Sequence, residues 1–248
     1  MPKRQARFTS QDMADDPRLH DESPNLWGEE FGDVKRGLLT SAVRCFAANG
    51  FHATTTRDIS AGVGLSPAAL YVHFPTKELV LYAISRIGHE RALAYVQVPE
   101  AEQVVGTAEQ LRVMIARHVT WHARHHVAAR VCQYELHGLI PEHYDEIREL
   151  RHQHAEAVRC AVARGVADGT FSPVDVNRVV RAMLSLGIDL VRWYRLNGPD
   201  SPEQVGEFYA DLALKMVINT VPGEHPAPRP AGRRNVRIPG CSAVTANE

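Results

Sequence analysis

The segment Thr54–Val80, TTTRDISAGVGLSPAALYVHFPTKELV, constrains the fold most, because helix starts and helix breakers alternate closely within it. A short helix is predicted from Thr56 to about Ala61, followed by a tight turn, Gly62-Val63-Gly64-Leu65. The next helix begins after this turn and must end before Pro75, because the residue before a proline disfavours the helical conformation. Two short helices joined by a glycine-containing turn indicate a helix-turn-helix unit, whose second helix can enter the DNA major groove.

Hydroxyl side chains stand at three helix starts in this segment. They are supplied by the run of threonines that ends at Thr56, by Ser66 and by Thr76, and Pro67 suits the first position of its helix. Phosphate groups are bound by hydroxyls, basic side chains and helix N-termini, so this spacing predicts contact with a phosphodiester backbone.

The rest of the chain shows helical periodicity and no convincing alternating strand, which predicts an all-α fold. The first helix should have Asp33 as its N-cap and Gly50 just beyond its end. The segment Val176–Tyr194 is apolar on more than one face, which favours a subunit interface as well as a core. Helices are expected at about 33–49, 76–98, 107–125, 127–138, 143–168, 173–196 and 202–220.

Composition excludes several classes of protein. The net charge is −1, with 28 basic and 29 acidic residues, so any DNA-binding surface must be a local basic patch. No apolar run is long enough to span a membrane, and the N-terminus lacks the apolar stretch of a secretory signal. The four cysteines are far apart, which argues against a disulfide framework or zinc ribbon and fits a reducing cytoplasm.

The stretch FAANGFHATTTRDISAGVGLSPAALYVHFPTKELV resembles the DNA-binding domain of the TetR (tetracycline-repressor) family. The resemblance rests on these residues: Phe46, Gly50, Phe51, Thr54, Thr55, Ile59, Gly62, Val63, Leu70, Tyr71, His73, Phe74, Lys77 and Leu79. It implies a three-helix DNA-binding domain at 32–78 and a larger ligand-binding and dimerisation domain at 79–221. A disordered arm at 1–31 and a disordered tail at 222–248, rich in Pro, Gly and Arg, are expected to flank them.

The same resemblance implies which residues contact operator DNA. Thr55, Arg57, Tyr71, His73 and Lys77 match positions that touch phosphates or groove edges in the family. Tyr71 and His73 could instead pack the small domain, and Arg57 could be a solvated helix charge. The full set of candidate DNA contacts is Thr54, Thr55, Thr56, Arg57, Ser66, Pro67, Ala68, Ala69, Tyr71, His73 and Lys77.

The C-terminal part, with RGVADGTF and RWYRLNGPDSPEQVGEFYADLAL, resembles the regulatory domains of TetR-type repressors of lipid and sterol catabolism. Many of these sense acyl-CoA esters, so the resemblance implies an acyl-CoA-like effector. Apolar and aromatic residues would line its cavity, and arginines, Arg151 among them, would attract the anionic head group. The candidate ligand contacts are Met114, Trp121, His122, Arg130, Tyr134, Arg148 and Met183. The aromatic residues could equally be core or interface, and the arginines could be solvated.

Four histidines on one predicted helix raise the alternative of a metal-dependent enzyme. His118 and His122 lie four residues apart, with His125 and His126 beyond them. No acidic or cysteine ligand accompanies them at a recognisable spacing, so no metal ligand, catalytic residue or cofactor is predicted. A helical interaction module is the other alternative. The sequence favours a cytoplasmic, ligand-responsive repressor that binds a palindromic operator as a homodimer, has no membrane partner and is released by an acyl-CoA-like ligand.

Overall fold

The computed structural model describes Met13, residues 16–97 and residues 106–218. All regular structure in these residues is helical, which confirms the all-α fold with an N-terminal helix-turn-helix domain and a larger C-terminal helical domain. The predicted tail at 222–248 lies outside the described residues. The α-helices are α1 Gly32–Asn49, α2 Thr56–Ala61, α3 Pro67–His73, α4 Lys77–Val96, α5 Thr107–Arg124, α6 His126–Tyr134, α7 Pro141–Ala167, α8 Val176–Asp189 and α9 Pro202–Ile218.

The first helix buries the face that its periodicity predicts, including Leu38, Leu39 and Phe46. Gly50 ends it with a φ of 79°, a backbone conformation that glycine adopts without strain. The N-terminus of α1 differs from the prediction. The helix begins at Gly32, so Asp33 lies inside the first turn and makes no capping bond. The carboxylate there still faces the positive end of the helix dipole.

The long helix predicted at 173–196 is interrupted. Asp175 caps α8 by accepting a hydrogen bond from the Arg178 amide, so Pro173 lies outside the helix. After Asp189 the chain forms a 3₁₀ turn. Val191 packs in the hydrophobic core that contains α1, and Leu190 packs in a second hydrophobic core that contains α5 and α9. The turn therefore joins the cores, and the apolar residues of this region do not form one continuous helical face.

Residues 16–31 are not the mobile arm that the sequence predicts. They form three 3₁₀ turns and bury Leu19, Leu26 and Trp27 in a core that includes residues of α1, α4 and α6. Asp21 Oδ2 accepts a hydrogen bond from the Val127 amide at 2.7 Å, at the start of α6. These apolar residues are too few and too irregular to give a periodic pattern, yet each fills space between helices that are distant in sequence.

The fourth helix links the two parts of the molecule. Its side chains Val80, Leu81 and Ile84 belong to the core shared with α1, whereas Val96 belongs to a second core formed by α5, α7, α8 and α9. In that second core α5 and α9 pack along each other. A displacement of α4 would therefore change the packing in both cores.

Candidate functional site

The helix-turn-helix is held by the caps that the sequence predicts. Thr55 accepts a hydrogen bond from the Asp58 amide, and Asp58 accepts one from the Thr55 amide at 2.7 Å, which completes a capping box. Ser66 caps α3 and Thr76 caps α4 in the same way. Gly64 makes the turn with a φ of 69°.

One face of α3 is open to solvent. Tyr71 is 50% exposed and Val72 80% exposed, and His73 is also exposed. The Tyr71 hydroxyl lies 3.3 Å from the Thr56 hydroxyl, so α2 and α3 present one polar surface, to which the exposed Arg57 contributes. The packing alternative for Tyr71 and His73 has no support, because neither side chain is in a core.

Two of the candidate DNA contacts make hydrogen bonds within the protein. Thr54 is 1% exposed, and its hydroxyl donates to the carbonyl oxygens of Cys45 and Gly50. The Lys77 ammonium donates to the carbonyl oxygens of Phe51 and Thr54, both at 2.7 Å. Both side chains therefore secure the loop between α1 and α2. Of the other candidates, Thr55, Ser66 and Ala68 are exposed, and Thr56, Pro67 and Ala69 are half-buried.

A cavity of about 430 Å³ lies among α4, α5, α6, α7 and α8. Of the candidate ligand contacts, Trp121 and His122 line it. Tyr134 and Arg148 line a second cavity, also of about 430 Å³, which shares Gln133 and Arg151 with the first. The sequence therefore identifies part of the wall of each cavity.

The remaining candidate ligand contacts lie outside both cavities. Met114 and Met183 are buried in the second core, where they fill space between helices. Arg130 donates to the Ala47 carbonyl at 3.1 Å and so ties α6 to α1. These three residues have packing or bridging roles, which helical periodicity does not distinguish from a cavity wall.

Histidines form much of the wall of the first cavity. His118 and His122 come from α5, His89 from α4 and His154 from α7. Burial lowers the pKa of His89 and of His122 from the usual 6.5 to about 4, and that of His154 to about 3. Burial also lowers the pKa of His118 well below its usual value. The wall is therefore uncharged at neutral pH, apart from its arginines.

The arginines of the cavity come from α7 and α8. Arg151 lies where the two cavities meet, Arg159 is paired with Glu156, and Arg181 is exposed. Among the described residues, no three His, Cys, Asp or Glu side chains are placed to hold a metal ion. No helix in this part of the chain is long and apolar enough to cross a membrane.

Sequence reasoning missed His89 and His154. A signal for His154 was available, because it shares a helical face of α7 with the buried Ile147 and Val158. A polar residue on a face that is otherwise apolar indicates either a satisfied core group or a cavity. His89 adjoins Gly88, where a Cβ atom would come within 2.9 Å of Cys132 Sγ.

Comparison with known proteins agrees with this architecture. Residues 38–84 match the model described as bacterial regulatory proteins, tetR family, and residues 105–217 match the tetracyclin repressor-like C-terminal domain. A solved regulatory protein of the tetR family from Rhodococcus RHA1 is 37% identical, with a TM-score of 0.68 over 74% of this chain and 96% of that one. The chain belongs to the TetR family. It is a DNA-binding transcriptional regulator and not an enzyme.

Other TetR proteins are similar over most of their length. The transcriptional repressor KstR2 of Mycobacterium tuberculosis is 29% identical over 184 residues, which cover 73% of this chain and 91% of the relative. The structure of that ketosteroid regulator has a TM-score of 0.70 at 27% identity and covers 76% of this chain and 97% of that one. AibR, solved with isovaleryl coenzyme A and operator DNA, is 22% identical with a TM-score of 0.63 over 74% of this chain and 97% of that one, which shows the fold alone.

Proposed function

We propose that the chain is a ligand-responsive repressor that binds a palindromic operator as a homodimer and is released when an acyl-CoA-like effector enters the cavity. The observation that carries this proposal is the position of α4. Its first residue, Lys77, is bonded to the loop before α2, and its Gly88 and His89 line the cavity.

The position of α4 supplies a physical link between ligand and DNA. A ligand that pushes Gly88 and His89 outward moves α4 as a rigid element, and the Lys77 contacts carry this movement into the helix-turn-helix. In a dimer the two recognition helices must match half-sites about 34–36 Å apart or a multiple of that distance. A shift of a few ångströms then lowers the affinity for operator DNA, since ligand and DNA favour different states.

An exposed apolar surface supports the homodimer. Phe208 on α9 is 61% exposed, Trp193 is 52% exposed and Leu186 on α8 is 41% exposed. Leu186 and Trp193 lie in the segment Val176–Tyr194, for which the sequence favours an interface, and Phe208 extends this surface onto α9. Large apolar side chains exposed on neighbouring elements are typical of protein–protein contacts, and a second copy of this chain would cover them.

The two adjoining cavities suit an elongated effector with one apolar and one anionic end. Trp121, Val180 and Ile188 offer apolar surface in the first cavity. Arg148 lines the second cavity, and Arg151 lines both. Guanidinium groups pair with phosphate oxygens through two parallel hydrogen bonds, which suits a CoA head group. The resemblance to repressors of lipid and sterol catabolism supports the same class, and KstR2, to which this chain is similar, is a ketosteroid regulator.

The experiment is a titration of the protein–operator complex. The operator is first obtained by sequencing genomic fragments retained by the purified protein, and DNA affinity is followed by fluorescence anisotropy. An effective acyl-CoA ester should lower the affinity about 5- to 150-fold, which corresponds to a coupling free energy of about 1–3 kcal/mol. Free CoA and free fatty acids serve as controls. If no ester changes the affinity more than twofold, the proposed effector class is wrong.

A further inference from the structure

The hydrogen-bonding state of the cavity histidines follows from their neighbours. His89 Nδ1 lies 2.8 Å from the carbonyl oxygen of Ser85, and His122 Nδ1 lies 2.7 Å from that of His118. A carbonyl oxygen can only accept, so both Nδ1 atoms carry the hydrogen. A neutral imidazole has one N–H, and the Nε2 atoms of His89 and His122 are therefore bare acceptors.

The same reasoning extends to α7 through His118. Its Nε2 lies 3.2 Å from the carbonyl oxygen of Leu184 and must donate, which leaves Nδ1 as an acceptor. That Nδ1 lies 3.1 Å from His154 Nε2, so His154 donates from Nε2 and keeps a bare Nδ1. Three histidines from three helices consequently present lone pairs. We call His89 Nε2, His122 Nε2 and His154 Nδ1 the acceptor cluster.

The acceptor cluster lacks donors within the described residues. His89 Nε2 is buried and has no hydrogen-bond partner there. The hydrogen bonds of His122 and His154 use their other ring nitrogens. A buried polar atom without a partner costs about 1–3 kcal/mol, so such atoms are usually found where a ligand or water satisfies them. Low pKa values near 4 keep His89 and His122 neutral, so the acceptors persist at neutral pH.

We infer that the cavity selects ligands that carry a hydroxyl group on a compact apolar skeleton, with the hydroxyl donating to the acceptor cluster. The inference rests on the proposed function in one respect, namely that this cavity is the effector site. For an acyl-CoA ester it places the hydroxyl on the acyl part. A carbonyl group at the same position would place one hydrogen-bond acceptor against another, with no hydrogen between them.

The test compares alcohols with ketones that have the same skeleton. Borneol is paired with camphor, and menthol with menthone, and their binding to the full-length protein without DNA is measured by calorimetry at neutral pH. We expect at least one alcohol to bind about tenfold more tightly than its ketone, since a net hydrogen bond is worth roughly that factor. Equal affinities, tighter binding of the ketones, or binding of none of the four compounds would overturn the inference.

A matched pair of variants locates the effect. His89→Leu removes one acceptor from the cavity. His126→Leu removes another buried imidazole whose Nε2 is also without a partner but which lies outside the cavity. The alcohol preference should fall at least threefold in His89→Leu and persist in His126→Leu. An unchanged preference in a folded His89→Leu protein would contradict the assignment.

A measurement on the unmodified protein covers the case in which His89→Leu does not fold. Nitrogen-15 NMR of the histidine rings distinguishes a protonated nitrogen from a bare one. We expect bare Nε2 atoms in His89 and His122 and a shift of the His89 Nε2 signal when borneol binds. Protonated Nε2 atoms would refute the inference. Operator binding is measured in a separate experiment. A failure to bind operator DNA would contradict the proposed function but not the inference about hydroxyl-bearing ligands.

Discussion

Replacing Lys77 by methionine tests whether this residue contacts DNA or holds the helix-turn-helix together. The Lys77 ammonium donates to the carbonyl oxygens of Phe51 and Thr54 at 2.7 Å and lies 4.2 Å from the centre of the Phe51 ring. Methionine keeps most of the apolar stem and removes the charge. The position matches a phosphate contact in the family resemblance, so the two roles predict different outcomes.

The loss can be estimated from these contacts. A hydrogen bond to a charged group contributes about 1.5–3 kcal/mol and a cation–π contact about 0.5–1 kcal/mol. Lys77 is half-buried, so water can replace part of the hydrogen bonding and part of the cation–π contact when the side chain is removed, which lowers the expected loss. We therefore expect the free energy of unfolding to fall by about 2–3 kcal/mol in Lys77→Met, because the two carbonyl groups lose their donor.

The assay has two readouts. Urea unfolding followed by tryptophan fluorescence gives the stability, and operator affinity at several salt concentrations gives the number of phosphate contacts. Lys77→Met should unfold at lower urea and keep the salt slope of the original protein. Arg57→Met is the matched control, because Arg57 is exposed on α2 and should change the slope by about one unit without changing stability. If Lys77→Met unfolds like the original protein and flattens the slope, the internal role is refuted.

Two further predictions concern pH and assembly. His89 has a pKa of about 4 when folded and 6.5 as the usual value, so the stability it contributes is present above pH 6.5 and is lost as the pH falls towards 4. When the pH is lowered from about 7.5 to about 5.5, the free energy of unfolding should fall by about 1.3 kcal/mol less in His89→Leu than in the original protein. An equal fall in the two proteins would contradict the argument that burial lowers the pKa of His89. Phe208→Glu should convert the proposed dimer to a monomer in sedimentation experiments, whereas Val72→Glu, which changes an exposed residue on α3, should not. If the Phe208→Glu protein is still a dimer, the interface does not include Phe208 and the proposed location is wrong.

The helix-turn-helix is readable from the sequence because its signals are local. Ser66 and Thr76 cap their helices by accepting hydrogen bonds from amides three residues away, and Gly64 supplies the positive φ that the turn needs. Each signal acts within a few residues, so no knowledge of the rest of the chain is required. The order of the helices follows for the same reason, although α8 ends earlier than its apolar pattern predicts.

Side-chain roles that depend on distant residues were decided by the tertiary structure. Thr54 and Lys77 match the family pattern, but packing turns both towards carbonyl oxygens of the loop between α1 and α2. Residues 16–31 show no periodicity, yet they fill the space between α1 and α6. Neither result is visible in a pattern that records only spacing along the chain.

The cavity shows the same division most clearly. Periodicity places His122 on an inward face of its helix, but it cannot show that His89 and His154 approach the same space from two other helices. It also cannot assign the bare nitrogens, because these depend on carbonyl oxygens such as those of Ser85 and Leu184. The sequence alone determined the order of the helices, the caps of the helix-turn-helix and the family. The chemistry of the cavity was decided by tertiary packing, because hydrogen bonding and desolvation depend on which groups meet in space.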